Sequence, residues 1–263
     1  RSRYFFNQLM LTILTIPCLN DNYSYLIHDK NTNKVGVIDP SEFFSVNNAI
    51  QKKFKKLDYI LNTHHHSDHV GGNEELKEEY NAKIICSEID RDRIPGSDAT
   101  LNSEDNFYFG ETLFRIIFVP GHTKGHIAFY SEKDEVIFTG DALFSLGCGR
   151  IFEGSYKQMF NSLNLIKKLP SQTKIYCGHE YTKNNLKFCQ KYNKSNKNLK
   201  KKSEWINDRL SKNLATIPIS LKDELDTNIF LRCDESALKK DLGMDGTPDE
   251  LIFEKLRNLK DNF

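Results

Sequence analysis

The chain lacks a long apolar segment, a close cysteine pair and an excess of charge of either sign. No run approaches the ~20 consecutive apolar residues that a membrane-spanning helix needs, so we expect no membrane span. Lysine and arginine number 37 and aspartate and glutamate 36, and the net charge of +1 predicts no nucleic-acid partner. The 263 residues are enough for one large domain or for one domain with a smaller appendage.

Cysteines are present but are not arranged as a disulfide framework or a redox motif. The six are Cys18, Cys86, Cys148, Cys177, Cys189 and Cys233. Because they are scattered and form no C-x-x-C pair, we expect free thiols in a reducing compartment. This predicts a cytoplasmic protein. The interior of an organelle is the alternative, if residues 1–9 are the remnant of a targeting segment.

The first residues allow several interpretations. Residues 1–9 contain no acidic residue and precede Met10, which is compatible with a tag remnant, a native extension or part of a targeting segment. The apolar patch around Leu9 to Ile16 resembles a shortened signal peptide. However, its β-branched residues favour a first strand over Leu11–Ile16.

From about residue 10 to residue 180, short β-like runs alternate with turns and helical patterns. The predicted strands are Leu11–Ile16, Tyr23–His28, Val35–Asp39, Tyr59–Thr63, Lys83–Cys86, Leu113–Val119, Ile127–Tyr130, Glu135–Thr139 and Lys174–Cys177. The predicted helices are Ser45–Lys56, Asn73–Tyr80 and Tyr156–Leu169. This mixture indicates a layered α/β domain over residues 10–182.

The composition changes after Tyr181. The segment Lys183–Leu214 is rich in lysine and asparagine and contains the single tryptophan, Trp205. A further helical pattern spans about Pro248–Lys260. We therefore predict a small helical C-terminal domain over residues 183–263. The basic run at residues 196–202 is typical of a solvated helix face rather than of nucleic-acid binding, because no aromatic residues interleave with it.

The segment Thr63-His-His-His-Ser-Asp-His69 concentrates four histidines and one aspartate in seven positions. Crowded imidazoles and a carboxylate compete for protons, and a bound cation removes that cost. If the segment is extended, His64, His66 and Asp68 point to one side while His65 points away. Asp68 and His69 are then expected at the turn before the next helix. The pattern predicts a metal site.

Three further segments repeat one order: an apolar strand, a glycine and then a residue that can bind metal. They end at His122, Asp141 and His179. Because sites in layered α/β domains gather at the carboxyl ends of strands, four strands would deliver ligands to one edge.

The complete inventory is five histidines and two aspartates, which suits two metals better than one. Paired ions ~3.5–4 Å apart are the usual arrangement for metal-assisted hydrolysis. Among the other histidines, we expect His28 and His65 to be non-ligating. His126 is compatible with two roles, orienting a ligand or filling the core.

These motifs resemble the metallo-β-lactamase-like superfamily and, within it, the glyoxalase II (hydroxyacylglutathione hydrolase) family. His64-His-His-Ser-Asp68-His69 is similar to the H-x-H-x-D-H signature of the superfamily. Pro120-Gly-His122, Thr139-Gly-Asp141 and Cys177-Gly-His179-Glu-Tyr-Thr are similar to the glyoxalase II branch, as is the end of the chain. The resemblance implies an αββα sandwich with a small helical C-terminal domain.

The resemblance also implies roles for individual residues. His64, His66 and His122 would hold one metal, Asp68, His69 and His179 would hold the other, and Asp141 would bridge them. Contacts to glutathione would come from Arg150, Tyr181, Arg257 and Lys260. Phe152 stands where the family usually has a tyrosine, which puts one hydrogen bond to the substrate in doubt; it is worth roughly 0.5–1.5 kcal/mol.

The implied activity is hydrolysis of S-D-lactoylglutathione and other S-2-hydroxyacylglutathiones to glutathione and D-lactate, as in methylglyoxal detoxification. A hydroxide between the two metals would attack the thioester carbonyl, with Asp68 and Asp141 as catalytic carboxylates. Zinc suits the ligand set best, and iron or manganese would be tolerated in the second site. Two rivals from the superfamily are a mononuclear iron persulfide dioxygenase and an RNA-processing nuclease. The complete ligand set and the near-neutral charge disfavour them. The oligomeric state is not predicted.

Overall fold

The computed structural model of the chain describes residues 9–263. The proposed extension over residues 1–9 therefore lies, apart from Leu9, outside the described residues. Within that range, no helix is both long and apolar enough to cross a bilayer.

Two six-stranded sheets form the centre of the fold. The first has the order β1-β2-β3-β4-β5-β6 and the second the order β14-β13-β10-β9-β8-β7, with β11 and β12 as a separate hairpin. The first sheet contains β1 Leu11–Cys18, β2 Asn22–Asp29, β3 Lys34–Ile38, β4 Tyr59–Leu61, β5 Lys83–Ser87 and β6 Ala99–Leu101. The second contains β7 Asn106–Phe109, β8 Thr112–Phe118, β9 Ile127–Ser131, β10 Val136–Gly140, β13 Lys174–Cys177 and β14 Ile219–Ser220; the hairpin is β11 Leu143–Phe144 and β12 Gly147–Cys148.

Helices cover the outer faces of both sheets. They are α1 Phe43–Lys53, α2 Ser67–Val70, α3 Asn73–Tyr80, α4 Tyr156–Lys167, α5 Thr182–Tyr192, α6 Asn198–Ser211, α7 Leu221–Thr227, α8 Ser236–Asp241 and α9 Asp249–Asp261. A single-turn 3₁₀ helix spans Ile229–Leu231, and a longer one spans Glu88–Arg93.

Three apolar cores define the layers. One core lies between the sheets and joins Ile27 and Ile38 to Phe129 and Phe138. A second fills the space between the first sheet and the helices α1 and α3. A third lies between the second sheet, α4 and the C-terminal helices. The fold is therefore the expected αββα sandwich with a helical C-terminal region.

Local sequence explains the central elements. Strands β9 and β10 are buried at every position, because apolar layers cover both of their faces. Helix α4 begins at a capping box in which Ser155 and Gln158 bond each other's backbone, and it buries Met159 and Leu163 on one face.

The nine strands predicted from the sequence are confirmed, with bounds that differ by one or two residues. Five were missed: β6, β7, β11, β12 and β14. The C-terminal segment is helical, but it also returns β14 to the second sheet, where Lys174 pairs with Ser220 beside β13. One expectation was wrong: Asp68 and His69 lie within the short helix α2, because the chain bends after β4 and does not remain extended.

Candidate metal centre

The seven residues singled out from the sequence converge at one edge of the sandwich. His64 and His66 follow β4, Asp68 and His69 lie on α2, and His122, Asp141 and His179 follow β8, β10 and β13. Strands β8 and β10 both run antiparallel to β9, and β13 runs parallel to β10, so these three strands end at the same edge. Both sheets therefore contribute side chains to the site.

We call His64, His66 and His122 the first group. One ligand atom from each lies within 4.8 Å of the others. His66 Nδ1 and His122 Nε2 are 3.1 Å apart. His64 Nε2 is buried and has no hydrogen-bond partner among the described residues. Three nitrogen lone pairs thus face a common point.

We call Asp68, His69 and His179 the second group. The Nε2 atoms of His69 and His179 are 3.3 Å apart. Asp68 Oδ2 lies 3.3 Å from His179 Nε2 and 3.6 Å from His69 Nε2. This group combines two imidazoles with a carboxylate, and α2 supplies two of the three side chains.

Asp141 lies between the two groups. Its Oδ2 atom is 3.4 Å from His122 Nε2 and 3.3 Å from His179 Nε2, and its Oδ1 atom is 3.3 Å from His69 Nε2. The close approach requires glycine at position 178, where a Cβ would lie 2.3 Å from Asp141 Oδ1. The carboxylate is in position to be shared by both groups.

Other polar groups fix the orientation of the imidazoles from behind. His69 Nδ1 lies 3.0 Å from Asp39 Oδ2, and His179 Nδ1 lies 2.8 Å from Asp21 Oδ1. His122 Nδ1 lies 2.7 Å from the carbonyl oxygen of Arg150. Such partners set the tautomer, so that the other ring nitrogen is free to bind a cation.

Two histidines that belong to neither group differ in their surroundings. His126 is fully buried, stacks on His64 at 4.7 Å and accepts a hydrogen bond from the backbone N–H of Asp141. It therefore orients the backbone of Asp141 as well as filling the core. His28 is remote from both groups and lies 2.9 Å from Asn33 Oδ1; its non-ligating role stays a prediction.

The imidazoles of the first group are held neutral. Burial, followed by the neighbouring imidazoles, lowers the pKa of His66 to about 4. Burial also lowers the pKa of His64 well below its usual range and lowers that of His122. Neutral imidazole is the form that binds metal.

The second group shows the opposite shifts. Burial disfavours charge on His179, but the carboxylates of Asp141 and Asp68 outweigh it and raise the pKa of His179 to about 10. For the same reason, Asp141 and Asp39 hold the pKa of His69 well above its usual range against the effect of burial. Asp68 has a pKa below its usual range, chiefly through its hydrogen bond with His179. The carboxylates of the second group therefore favour positive charge at this position, which a bound cation would also supply.

The donor set fits a dinuclear metal site. His64 Nε2 and Asp141 Oδ1 are buried atoms without hydrogen-bond partners among residues 9–263, and both face the site. Leaving such atoms without partners costs about 1–3 kcal/mol each, and a cation would remove that cost. The donor types match those of paired-metal hydrolases. The first group offers three imidazoles, the second offers two imidazoles and a carboxylate, and Asp141 lies between them. The identity of the metals does not follow from this geometry.

A cleft of about 680 Å³ opens above the two groups. It is lined by the four residues expected to contact glutathione, Arg150, Tyr181, Arg257 and Lys260, and by Phe152. The ring of Phe152 is 60% exposed and lies edge-on to His66 and His122. Tyr181 stacks on His179 with ring centroids 4.6 Å apart. Aromatic rings therefore border the metal centre on both sides.

Arg257 is not a free surface cation. It is 4% exposed and donates hydrogen bonds to the carbonyl oxygen of Cys148 at 2.7 Å and to Asp261 at 2.8 Å. Arg150 also pairs with Asp261, at 3.3 Å. Lys260 is half-buried, and burial, together with the nearby Arg257, lowers its pKa. The role of these residues in binding glutathione stays a prediction.

The loop from Leu143 to Gly149, which forms one wall of the cleft, is held by the C-terminal helices. Asn228 donates to the carbonyl oxygens of Phe144 and Gly147, and Glu224 accepts from the backbone N–H of Leu146 at 2.7 Å. Asn185 donates to the carbonyl oxygen of Ser145 at 3.0 Å. The shape of this wall therefore depends on residues far along the chain.

Sequence reasoning missed the supporting carboxylates. Asp39 also accepts hydrogen bonds from the backbone N–H and the hydroxyl of Thr63, at 2.7 and 2.6 Å, so it orients the histidine loop as a whole. A signal was present, because Asp39 follows an apolar strand as the proposed ligands do. Asp21 and Asn22 carried no such signal. Asn22 donates to Asp68 Oδ2 at 3.0 Å.

Two family models match adjacent parts of the chain. Residues 20–179 match the metallo-beta-lactamase superfamily, and residues 180–263 match the C-terminus of hydroxyacylglutathione hydrolase. A hydroxyacylglutathione hydrolase of Pelagibacter ubique is 53% identical over 253 residues, which are 96% of this chain and 100% of that protein. One of Methylococcus capsulatus is 42% identical and covers 97% of this chain and 99% of that protein.

Solved structures share the fold at lower identity. ETHE1 from Myxococcus xanthus aligns with a TM-score of 0.67 at 22% identity, covering 94% of this chain and 91% of that chain. The BLEG-1 B3 metallo-beta-lactamase aligns with a TM-score of 0.64 at 20% identity, covering 84% and 99%. A di-iron-bound form of TTHA1623 aligns with a TM-score of 0.54 at 26% identity, covering 64% and 91%.

Proposed function

The chain belongs to the hydroxyacylglutathione hydrolase family of the metallo-beta-lactamase superfamily, and we propose that it hydrolyses acylglutathione thioesters at the metal centre described above. The natural substrate is S-D-lactoylglutathione, with other S-2-hydroxyacylglutathiones accepted. The single observation that carries the proposal is the convergence of all seven metal-binding side chains beneath a cleft lined by basic residues.

The first group would hold one cation, the second group the other, and Asp141 would be shared by both. When bound, the cations ionise water near neutral pH and withdraw charge from the thioester carbonyl oxygen. Zinc suits the three imidazoles of the first group. The second group has more oxygen donors and accommodates iron or manganese as well as zinc.

The residues around the cations orient the reacting groups. Asp68 is half-buried, and its carboxylate reaches into the cleft, where it accepts a hydrogen bond from the attacking water and aligns the oxygen with the carbonyl carbon. Asn22 steadies the Oδ2 atom of Asp68 through its amide N–H. The buried rings of His64 and His126 behind the site exclude bulk water from that side.

The opposite end of the cleft recognises glutathione. Glutathione has two carboxylates, and Arg150 and Lys260 offer positive charge to them across the cleft. Arg257 is tied to the protein and acts by holding Asp261 and the Cys148 carbonyl, which fixes the wall on which Arg150 lies. The leaving group is a thiolate, whose conjugate acid has a pKa near 8.5, so its departure needs no strong acid.

The two rival activities are not favoured. An RNA-processing nuclease needs a surface for a polyanion, and the near-neutral chain offers no corresponding excess of positive charge. A mononuclear iron dioxygenase would use fewer ligands than the seven brought together here. The relatives with 41–53% identity are named hydroxyacylglutathione hydrolase. We propose a reducing compartment, the cytoplasm or the interior of an organelle, and the six free, buried cysteines support this proposal.

The test is an assay of thioester hydrolysis on S-D-lactoylglutathione, with metal analysis of the same sample. We expect about two cations per chain and glutathione release at neutral pH. The variant His122→Gln should lose metal and activity together, while the control His28→Gln should retain both. Metal-loaded wild-type protein that leaves the thioester intact would contradict the proposal.

A further inference from the structure

Behind the first group lies an ion cluster that the proposed reaction does not use. Arg93, at the end of the 3₁₀ helix Glu88–Arg93, pairs through one guanidinium nitrogen with Asp90 and through the other with Glu153. Asp90 is completely buried, and the side chain of Glu153 is 24% exposed. We call Arg93, Asp90 and Glu153 the arginine cluster. A buried carboxylate with a bridging arginine is costly to build unless the pairing is geometrically well defined.

His65 closes the cluster on the side of the metal centre. Its Nδ1 atom lies 3.6 Å from Asp90 Oδ2, and its Nε2 atom lies 3.6 Å from Glu153 Oε1. His65 stands between two residues of the first group, His64 and His66, and its ring points away from them. The imidazole is therefore wedged between the two carboxylates, and the backbone that carries both neighbouring ligands is supported from its outer side.

The arginine cluster also holds the loop that carries His122, the third residue of the first group. Glu153 accepts a hydrogen bond from the backbone N–H of Lys124 at 2.8 Å. Gly125 packs directly on Asp90, since a Cβ at this position would lie 2.1 Å from Asp90 Oδ1. Both contacts lie two or three residues after His122, so the loop carrying the third ligand rests on the carboxylates that also hold His65.

The cleft is connected to the cluster as well. Glu153 follows Phe152, whose backbone N–H donates to the carbonyl oxygen of His122 at 3.3 Å. The arginine cluster thus joins three separate segments, residues 64–66, 121–126 and 150–154, because Arg93 holds the two carboxylates that contact them. The 3₁₀ helix that carries Arg93 contributes no residue to either group. Two carboxylates against one guanidinium also leave a formal excess of one negative charge next to the first group.

We propose that the arginine cluster is a positioning device that holds the first group in the geometry that retains a cation. Arg93, Asp90 and Glu153 act through His65 and the loop after His122, and they touch neither cation nor substrate. The inference rests on the proposed ligand set. It assigns a function to a part of the molecule that the reaction itself does not require.

The experiment compares Arg93→Met with Arg91→Met. Arg91 lies on the same 3₁₀ helix, but its side chain is 60% exposed, and within residues 9–263 it forms an ion pair only with Glu88, at 3.7 Å. Zinc-loaded proteins are dialysed against a graded series of chelator concentrations, and zinc per chain is measured with the melting temperature. Loss of a group that orients a ligand typically weakens metal binding 10–100-fold. Arg93→Met should therefore lose one of its two zinc ions at a chelator concentration about 10–100-fold lower than Arg91→Met does.

Three further measurements identify the site affected. Arg93→Lys should retain zinc to an intermediate degree, because an ammonium group cannot bridge two carboxylates as the guanidinium fork does. Combining Arg93→Met with His66→Gln should add little to His66→Gln alone, whereas combining it with His179→Gln should remove the remaining zinc. At saturating zinc, Arg93→Met should recover kcat with an unchanged KM for S-D-lactoylglutathione.

If Arg93→Met proves too unstable, Glu153→Gln breaks the same pair with little change in volume and should also release one zinc ion early. The proposal would be overturned if Arg93→Met retained both zinc ions as tightly as Arg91→Met does. It would also be overturned if the zinc affinity of both sites fell equally. Failure of the proposed function gives a different result, since wild-type protein would then bind no zinc pair or leave the thioester intact.

Discussion

The two sides of the cleft are built in different ways. On the metal side, every proposed ligand follows a strand by eight residues or fewer, and supporting groups such as Asp39 and Asp21 lie directly behind the imidazoles. On the C-terminal side, the wall Leu143–Gly149 is held by hydrogen bonds from Asn185, Glu224 and Asn228, which lie 40 or more residues away along the chain. The metal side determines the chemical step, and the C-terminal side determines the shape of the substrate site. Substitutions on the two sides should therefore change different measured quantities.

The largest effect is expected on the metal side, from Asp141→Asn. An amide cannot supply the shared negative charge, so metal content should fall, and kcat should drop by roughly 100-fold or more, which corresponds to about 3 kcal/mol of lost stabilisation. Metal analysis and steady-state kinetics on S-D-lactoylglutathione measure both. Asp134→Asn is not a suitable control, because Asp134 accepts hydrogen bonds from the backbone of Met10 and Leu11. Asp245→Asn, at an exposed carboxylate between α8 and α9, serves instead and should keep the metal.

A large effect on stability alone is expected from Glu224→Gln on the C-terminal side. Burial raises the pKa of Glu224 to about 7, against the opposing effects of Lys202 and of its hydrogen bonds. Between its ordinary pKa of 4.5 and pH 7, the folded state binds the proton more tightly than the unfolded state. The stability that Glu224 contributes is thus complete below about pH 4.5 and is lost as the pH rises through 7.

Glutamine cannot ionise, so the variant should escape this loss. Relative to wild type, Glu224→Gln should gain stability between pH 5 and pH 8, by at most about 3 kcal/mol, with unchanged metal content. Denaturant unfolding at the two pH values measures the difference. Asp223→Asn, on the same helix but exposed, should show no such gain. A constant difference between wild type and Glu224→Gln across this range would contradict the argument.

Lys260→Ala tests recognition on the C-terminal side without touching the metal. Loss of one charge-assisted hydrogen bond to a glutathione carboxylate should raise KM about tenfold, equivalent to roughly 1.5 kcal/mol, with little change in kcat. Lys255→Ala, at an exposed position on the same helix, is the matched control. Arg257 is less informative, because its removal also releases the Cys148 carbonyl and Asp261. An unchanged KM in Lys260→Ala would remove Lys260 from the substrate site.

The smallest effect is expected from Phe152→Tyr. The ring is largely exposed at the mouth of the cleft, so a hydroxyl can be added there without repacking. One additional neutral hydrogen bond to the substrate should lower KM severalfold, for about 1 kcal/mol, and leave kcat and metal content unchanged. Phe44→Tyr, at a 78% exposed ring outside the cleft, controls for the added polarity. A rise in KM would show that the apolar ring itself favours binding.

The metal side was predictable from the sequence because its signals are local. Four of the proposed ligands lie within six positions, and the other three follow apolar strands and a glycine, as at His179. The supporting residues were harder to recognise. Asp21 and Asp90 are ordinary aspartates in sequence, and only the fold brings Asp21 to the ring of His179 and Asp90 to that of His65.

The C-terminal side could be predicted only in outline. A change of composition after Tyr181 indicated helices, but the return of β14 to the second sheet has no local pattern, because Ile219–Ser220 is too short to show a period of two. Similarly, the spacing of Arg257 and Lys260 on α9 is that of an ordinary exposed face. Their position in the cleft results from packing of the helix against the hairpin β11–β12.

Residues that follow strands of both sheets form the first group, and this has a consequence for the lifetime of the protein. A cation held by His64 and His66 from one layer and by His122 from the other would link the two sheets, and separating the layers would then require its release. Its binding free energy is then added to that of folding, and the population of opened molecules falls as free metal rises. Proteases cleave opened chains, so metal supply would set how long each copy survives as well as how fast it works.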